Sequence, residues 1–184
     1  MRIKTFIQVG ITGVRFLLLK AIYRKNFNCT ILNSCHRSLI IDIDKTGYLT
    51  IGNHLSSNRG LELSVRNGGL LEIGNNVSFN RNCLVVCRGK TRIGNEVIFG
   101  PGCKVYDHDH DYKKIKEERR KSTIVGNVSI GNGVWFGANC IVLKDTEIGD
   151  NCVFGAGSII KGNYAADTLV VQKREEKSVK IEYV

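Results

Sequence analysis

Ile130-Gly-Asn-Gly-Val-Trp-Phe-Gly-Ala-Asn-Cys-Ile-Val-Leu143 is followed by Ile148-Gly-Asp-Asn-Cys-Val-Phe-Gly-Ala-Gly-Ser-Ile-Ile160, and these two stretches decide the fold. Every sixth residue from Ile124 is apolar: Ile124, Ile130, Phe136, Val142, Ile148, Phe154 and Ile160. Glycine follows four of them, at Gly131, Gly137, Gly149 and Gly155. The same phase returns in Ile93, Phe99, Val105 and in Ile73, Phe79, Val85. Ile-Gly-Asn/Asp recurs at 51, 73, 93, 130 and 148. The last interval, 18, is three hexads; 22 and 20 read as one coil with small loops, and 37 as two coils plus one residue. Neither a helical period of 3.6 nor a strand alternation of 2 produces a strict six. A coil of three short flat faces does, each turning one large apolar side chain inward and bending where small residues fit. Stacked coils pair as parallel strands about 4.8 Å apart around a continuous apolar column.

Outward from this repeat, 184 residues suit one domain, and 42% apolar content supplies a core and excludes a disordered chain. One proline against 20 glycines excludes collagen and proline-rich linkers. The seven cysteines form no Cys-x-x-Cys pair, which argues for reduced cytosolic thiols rather than a zinc ribbon or a disulfide framework. The net charge of +10 sits in appendages: +6 in residues 1–28, +4 in 113–121 and +1 from Lys173 onward, leaving −1 elsewhere. Such patches suit phosphates, whether of an anionic lipid, a nucleic acid or a phosphate-bearing cofactor. Aromatic residues do not interleave with the basic runs, so no nucleic-acid partner is expected. Arg15 and Lys20 interrupt the apolar residues of 1–25 too soon for a membrane span, and no clear signal-peptide cleavage site follows. The segment reads as a basic amphipathic helix that packs on the domain or lies on a membrane surface.

The two quoted stretches resemble the hexapeptide-repeat acyltransferases, and more narrowly their xenobiotic and sugar O-acetyltransferase branch, of capsule or exopolysaccharide type. The resemblance covers roughly residues 50–162. It implies an all-β solenoid, a left-handed parallel β-helix, assembled as a homotrimer with acetyl-CoA as co-substrate between subunits and no metal. The organisation expected is a basic amphipathic helix over 1–28, the β-helix over 29–165 with a loop insertion at 106–123, and a tail over 166–184.

The hexads break between Val105 and Ile124, where Tyr106-Asp-His-Asp-His-Asp-Tyr112 opens a long loop, the usual place for function on a rigid scaffold. Acetyl transfer to an alcohol needs a base near neutrality, which histidine supplies, and a flanking acid such as Asp107 can fix its tautomer. By resemblance the catalytic histidine lies ten residues beyond the glycine of Gly100-Pro101, which is His110; His108 competes, since Asp111 stands where the family has proline. The family's Asn-x-Asn step matches Asn80-Arg81-Asn82. Asn80 then orients the acceptor hydroxyl or the tetrahedral intermediate, or else takes a left-handed turn at a coil corner. Gly137-Ala138 and Gly155-Ala156, 18 apart, match positions that contact pantetheine, and Trp135 matches a wall of that site. Lys161, Lys173 and Arg174 are in sequence range of the cofactor phosphates.

After the last coil the chain reads Asn163-Tyr-Ala-Ala-Asp-Thr-Leu-Val-Val, without the proline of the best-known sugar acetyltransferases. The basic N-terminal helix is instead similar to members that modify polysaccharides near the inner membrane. The expected acceptor is therefore a glycan or lipid-linked sugar in capsule, exopolysaccharide or lipopolysaccharide assembly. The expected location is cytoplasmic, peripheral on the inner face of the membrane. N-acetylation of an amino sugar and serine O-acetylation stay open, because the same base serves an amine. A trimeric zinc carbonic anhydrase needs three convergent histidines, and His36 and His54 lie far upstream of His108 and His110. A scaffold without chemistry is the non-enzymatic alternative.

Overall fold

The computed structural model describes residues 3–115 and 117–173. The hexads form a left-handed parallel β-helix of triangular section. Its first face carries the strands Phe27–Cys29, Tyr48–Ile51, Leu70–Ile73, Lys90–Ile93 and Asn127–Ile130, continued by the second halves of Ile141–Ile148 and Ile159–Tyr164. The second face is a separate seven-stranded sheet from Ser34–Cys35 to Leu169–Val170. The third carries Ile40–Ile43, Glu62–Val65, Leu84–Cys87 and Lys104–Tyr106, then the first halves of the two long strands. The pairings between successive coils are parallel and in register, as in Lys90↔Leu70 and Lys90↔Asn127.

That last pairing corrects the interval of 37. Ile93 lies directly beneath Ile130, so the interval is one coil carrying a long loop, not two coils. Ile124, the first member of the hexad series, is likewise outside the column: it is 44% exposed and sits in the loop hairpin 108–110/123–125. From Ile130 to Ile160 every sixth residue is buried. The ladder also runs on to Val170, past the boundary expected at 165, because Val153 and Phe154 pair with Leu169 and Val170.

The inward column is close-packed. Phe79, Phe99, Phe136 and Phe154 stack nearly face to face, with centroids 4.4, 4.8 and 5.3 Å apart, the spacing of the coils themselves. Burial of each is worth about 1.5–3 kcal/mol. The Ile-Gly-Asn motif has a physical cause at both polar positions. A Cβ at Gly94 would stand 2.5 Å from the Gly131 carbonyl oxygen of the next coil. The following asparagine then receives an amide N–H from the coil before it, as Asn75 Oδ1 does from Asn53 (2.8 Å) and Asn132 Oδ1 from Asn95 (2.9 Å).

The helix Ile3–Tyr23 covers the open end of the first coil, as terminal units of solenoids must. Phe16 is fully buried edge-on to Phe27, and the Thr12 hydroxyl accepts the Cys35 N–H at 3.0 Å. The segment Phe6–Asn26 is long and apolar enough by length and composition to cross a membrane, which corrects the expectation that Arg15 and Lys20 interrupt it too soon. One side of it nevertheless belongs to the β-helix.

Candidate functional site

The chain turns at three corners per coil, and the residues singled out from sequence divide among them. The corner between the third and first faces carries the long loop. Here Asp107 is fully buried. Its carboxylate accepts the N–H groups of Arg88 (2.8 Å) and Gly89 (2.9 Å) and the Thr91 hydroxyl (3.1 Å), which fastens the loop to the coil below. The Nδ1 of His108 lies 3.3 Å from the same carboxylate, and its side chain is 10% exposed. Burial, with the Asp107 charge beside it, pushes the Cys87 thiol up to about 12, so that sulfur stays protonated. His108–His110 pairs antiparallel with Thr123–Val125, and this short ribbon carries His110 to an exposed position. Lys161 is at the same corner, beside Gly162.

The corner between the second and third faces holds the other candidates. Gly100, Gly137 and Gly155 end successive strands of the second face, with N–H···O bonds from Gly100 to Phe136 and from Gly137 to Phe154, both 2.8 Å. Ala138 stacks beneath Ala156: the Ala138 carbonyl accepts Gly157 N–H at 2.7 Å. Among the described residues the amide N–H groups of Ala138 and Ala156 donate to nothing, while those around them are paired. Lys173 follows Gln172, whose amide clips both backbone groups of Ile159 just above this stack. Trp135, 52% exposed on the second face, adjoins it. Arg174 lies outside the described residues.

Asn80 is two coils below Gly137 on the same corner. The left-handed turn belongs to Asn82 (φ 57°), not to Asn80. The exposed Asn80 side chain accepts Arg81 N–H (2.9 Å) and the Asn58 amide (3.1 Å). Sequence reasoning missed what lies beneath it. His36-Arg37, Asn58-Arg59 and Asn80-Arg81 repeat at intervals of 22, in step with the coils, so three arginines stack at this corner. The repeat is present in the sequence, but its polar residues stand outside the apolar hexad phase. The four histidines do not converge: His36 is at this corner, His54 at that between the first and second faces, and His108 and His110 on the loop. Among the described residues no three His, Cys, Asp or Glu side chains are grouped to hold a metal ion.

Residues 127–162 match the family model of the bacterial transferase hexapeptide, six repeats. The galactoside O-acetyltransferase of Lactococcus lactis is 39% identical over 70 residues, which is 37% of this chain and 32% of that protein. The putative lipopolysaccharide biosynthesis O-acetyl transferase WbbJ of Escherichia coli is 29% identical over 86 residues, 42% of this chain and 44% of the relative. The chain thus spans about a third of the length of the first of these curated relatives. Among solved structures, the Bacillus cereus N-acyltransferase AntD, in complex with dTDP and coenzyme A, superposes with a TM-score of 0.64 at 20% identity, covering 89% of both chains. A maltose O-acetyltransferase of Clostridium difficile gives 0.54 at 21% identity, over 95% of this chain and 88% of that one.

Proposed function

From a chain that belongs to the hexapeptide-repeat acyltransferases, we propose an acetyl-CoA-dependent O-acetyltransferase that modifies a sugar hydroxyl in the assembly of a capsule, exopolysaccharide or lipopolysaccharide. The observation that carries it is the pair of unpaired, stacked amides at Ala138 and Ala156. Backbone donors left without partners at an exposed edge are free for a ligand. Two of them, about one strand spacing of ~4.8 Å apart along the coil axis, suit the successive amide carbonyls of a pantetheine arm. Lys173 at the upper end of that edge supplies a cation for the phosphates.

The loop supplies the base. His110 takes the proton of the acceptor hydroxyl as its oxygen attacks the thioester carbonyl carbon. The tetrahedral intermediate then collapses, the C–S bond breaks, and the imidazolium returns the proton to the departing thiolate. Asn80, exposed at the corner of Ala138 and Ala156, orients the acceptor. The named substrates of the relatives, galactosides and lipopolysaccharide, support a sugar acceptor. Because the loop and the Ala138–Ala156 edge leave the prism at different corners, one site draws on two copies of the chain, as a trimer allows.

The test is calorimetric titration of coenzyme A into the protein and its Ala156→Glu variant, with melting temperature as control. Position 156 is exposed, so the carboxylate fits without disturbing the core. We expect affinity to fall at least about tenfold, the cost of an unpaired charge set against backbone carbonyls and phosphates. Equal affinity would remove the cofactor from this edge. Product analysis by mass spectrometry then separates an acetylated hydroxyl from an acetylated amine.

A further inference from the structure

The corner that holds Ala138 and Ala156 changes character halfway along the molecule. Its upper steps are Gly100-Pro101, Gly137-Ala138 and Gly155-Ala156; its lower steps are His36-Arg37, Asn58-Arg59 and Asn80-Arg81. The backbone bonds show one continuous stack. The Arg59 carbonyl accepts Asn82 N–H (2.9 Å), the Arg81 carbonyl accepts Gly102 N–H (2.8 Å), and Pro101 accepts Asn139 N–H (2.8 Å). Arg37, Arg59 and Arg81 therefore rise about 4.8 Å per coil, within reach of one another's guanidinium groups. All three are exposed.

No acid answers them. Among the described residues the ion pairs join Arg66 to Asp42, His108 to Asp107 and Lys144 to Asp145. The hollow beside the ladder encloses about 410 Å³ and is lined by His36, Asn58, Arg59, Arg81 and Asn82, with no carboxylate. Arg15 adds a fourth cation at its foot, donating to the backbone carbonyls of Arg37 (3.2 Å) and Leu39. Like charges in neighbouring strands repel, and an anion bound among them relieves that repulsion. Guanidinium forks fit phosphate oxygens two at a time.

The foot of the ladder meets the N-terminal helix. Thr12 of that helix is bonded to Cys35, the residue before His36, while Phe6, Ile7, Ile11, Val14, Leu17, Leu18 and Ile22 are 57–70% exposed on its outer side. Cations and an unpartnered apolar surface adjoin at one end of a track that leads to the proposed cofactor edge.

We infer that Arg37, Arg59 and Arg81 bind the phosphates of a sugar diphosphate ester with an apolar tail, holding its sugar upward at Asn80. This rests on the acetyl-transfer reading and names its acceptor class. The test uses the full chain saturated with coenzyme A and titrated with inorganic diphosphate, with UDP-glucose, and with a polyprenyl diphosphate sugar in zwitterionic vesicles. We expect Arg59→Gln/Arg81→Gln to weaken all three by about tenfold or more, while Arg59→Lys/Arg81→Lys, which keeps the charges but loses the forks, weakens them less. Coenzyme A affinity should stay within about twofold, as the groups proposed to hold it, the Ala138 and Ala156 amides and Lys173, lie higher on the corner. The lipid-linked sugar should bind tightest. Diphosphate binding indifferent to the glutamines would overturn the inference, placing the anion elsewhere, such as the basic run at 113–121. A parallel loss of coenzyme A would overturn it too, by giving the ladder to the cofactor. UDP-glucose binding as tightly as the lipid-linked sugar would overturn the apolar tail. Failure of the unaltered protein to bind coenzyme A at all would instead sink the acetyl-transfer reading.

Discussion

At the scale of single residues, the two loop histidines differ in burial. His108 is held against a carboxylate that already accepts three other donors, and Asp107 with those donors fastens the loop entrance to Arg88–Thr91. His110, two residues on along the same strand, stands exposed where an acceptor hydroxyl can reach it. We expect His110→Ala to lower kcat by about 10²–10⁴-fold, the worth of a positioned base, with coenzyme A affinity unchanged. His108→Ala should cost less and should loosen the loop, seen as faster amide exchange at Asp109 and Ile124, which pair across the ribbon. An inactive His108→Ala beside an active His110→Ala would transfer the base to the Asp107–His108 pair, whose geometry also suits that role. Sequence supplied both histidines and the acid. It could not say which was buried, because that depends on a corner formed by residues nearly 20 positions earlier.

At the scale of elements, the coils were legible and their exceptions were not. A period of six with glycine after the apolar residue has one physical solution, and Phe79, Phe99, Phe136 and Phe154 fulfil it. The interval of 37 has the length of two coils plus one residue because one coil and the long loop add up to that. Ile124 looked like a core residue because a hairpin strand happened to continue the phase. The helix was legible as amphipathic, but its division between a packed side and an outward side came only with the first coil. Its outward apolar stripe and flanking bases suit an anionic lipid surface, where each base contributes about 1 kcal/mol. Val14→Ser/Leu18→Ser changes two exposed positions and leaves Phe16 in place. We expect this variant to lose cosedimentation with phosphatidylglycerol-containing vesicles while its melting temperature holds. Vesicle binding equal to that of the unaltered protein would sink the idea. A changed oligomeric mass in its place would show that another protein surface covers the stripe.

At the scale of the whole molecule, a rigid triangular prism keeps its corners, and the candidate groups on them, apart. The loop with His110 leaves at the corner between the third and first faces; Asn80, Ala138 and Ala156 occupy the corner between the second and third. A stacked coil cannot bend to bring them together, since each corner is fixed by ladders of backbone bonds to the coils above and below. Threefold packing, which we propose for this chain, would do so by placing the loop corner of one copy against the other corner of its neighbour, closing the ring. The prediction follows from counting sites in mixed trimers. His110→Ala lacks the base but keeps the cofactor edge; Ala156→Glu keeps the base but lacks the edge. Assayed with acetyl-CoA well below the concentration that Ala156→Glu needs to bind it, each alone should be nearly inactive. Unfolded together and refolded in equal amounts, they form mixed trimers in which one site of three joins an intact loop to an intact edge. With random assembly that restores about a quarter of the unaltered activity. If base and cofactor edge came from the same copy, every site in the mixture would carry one defect, and refolding together would restore nothing.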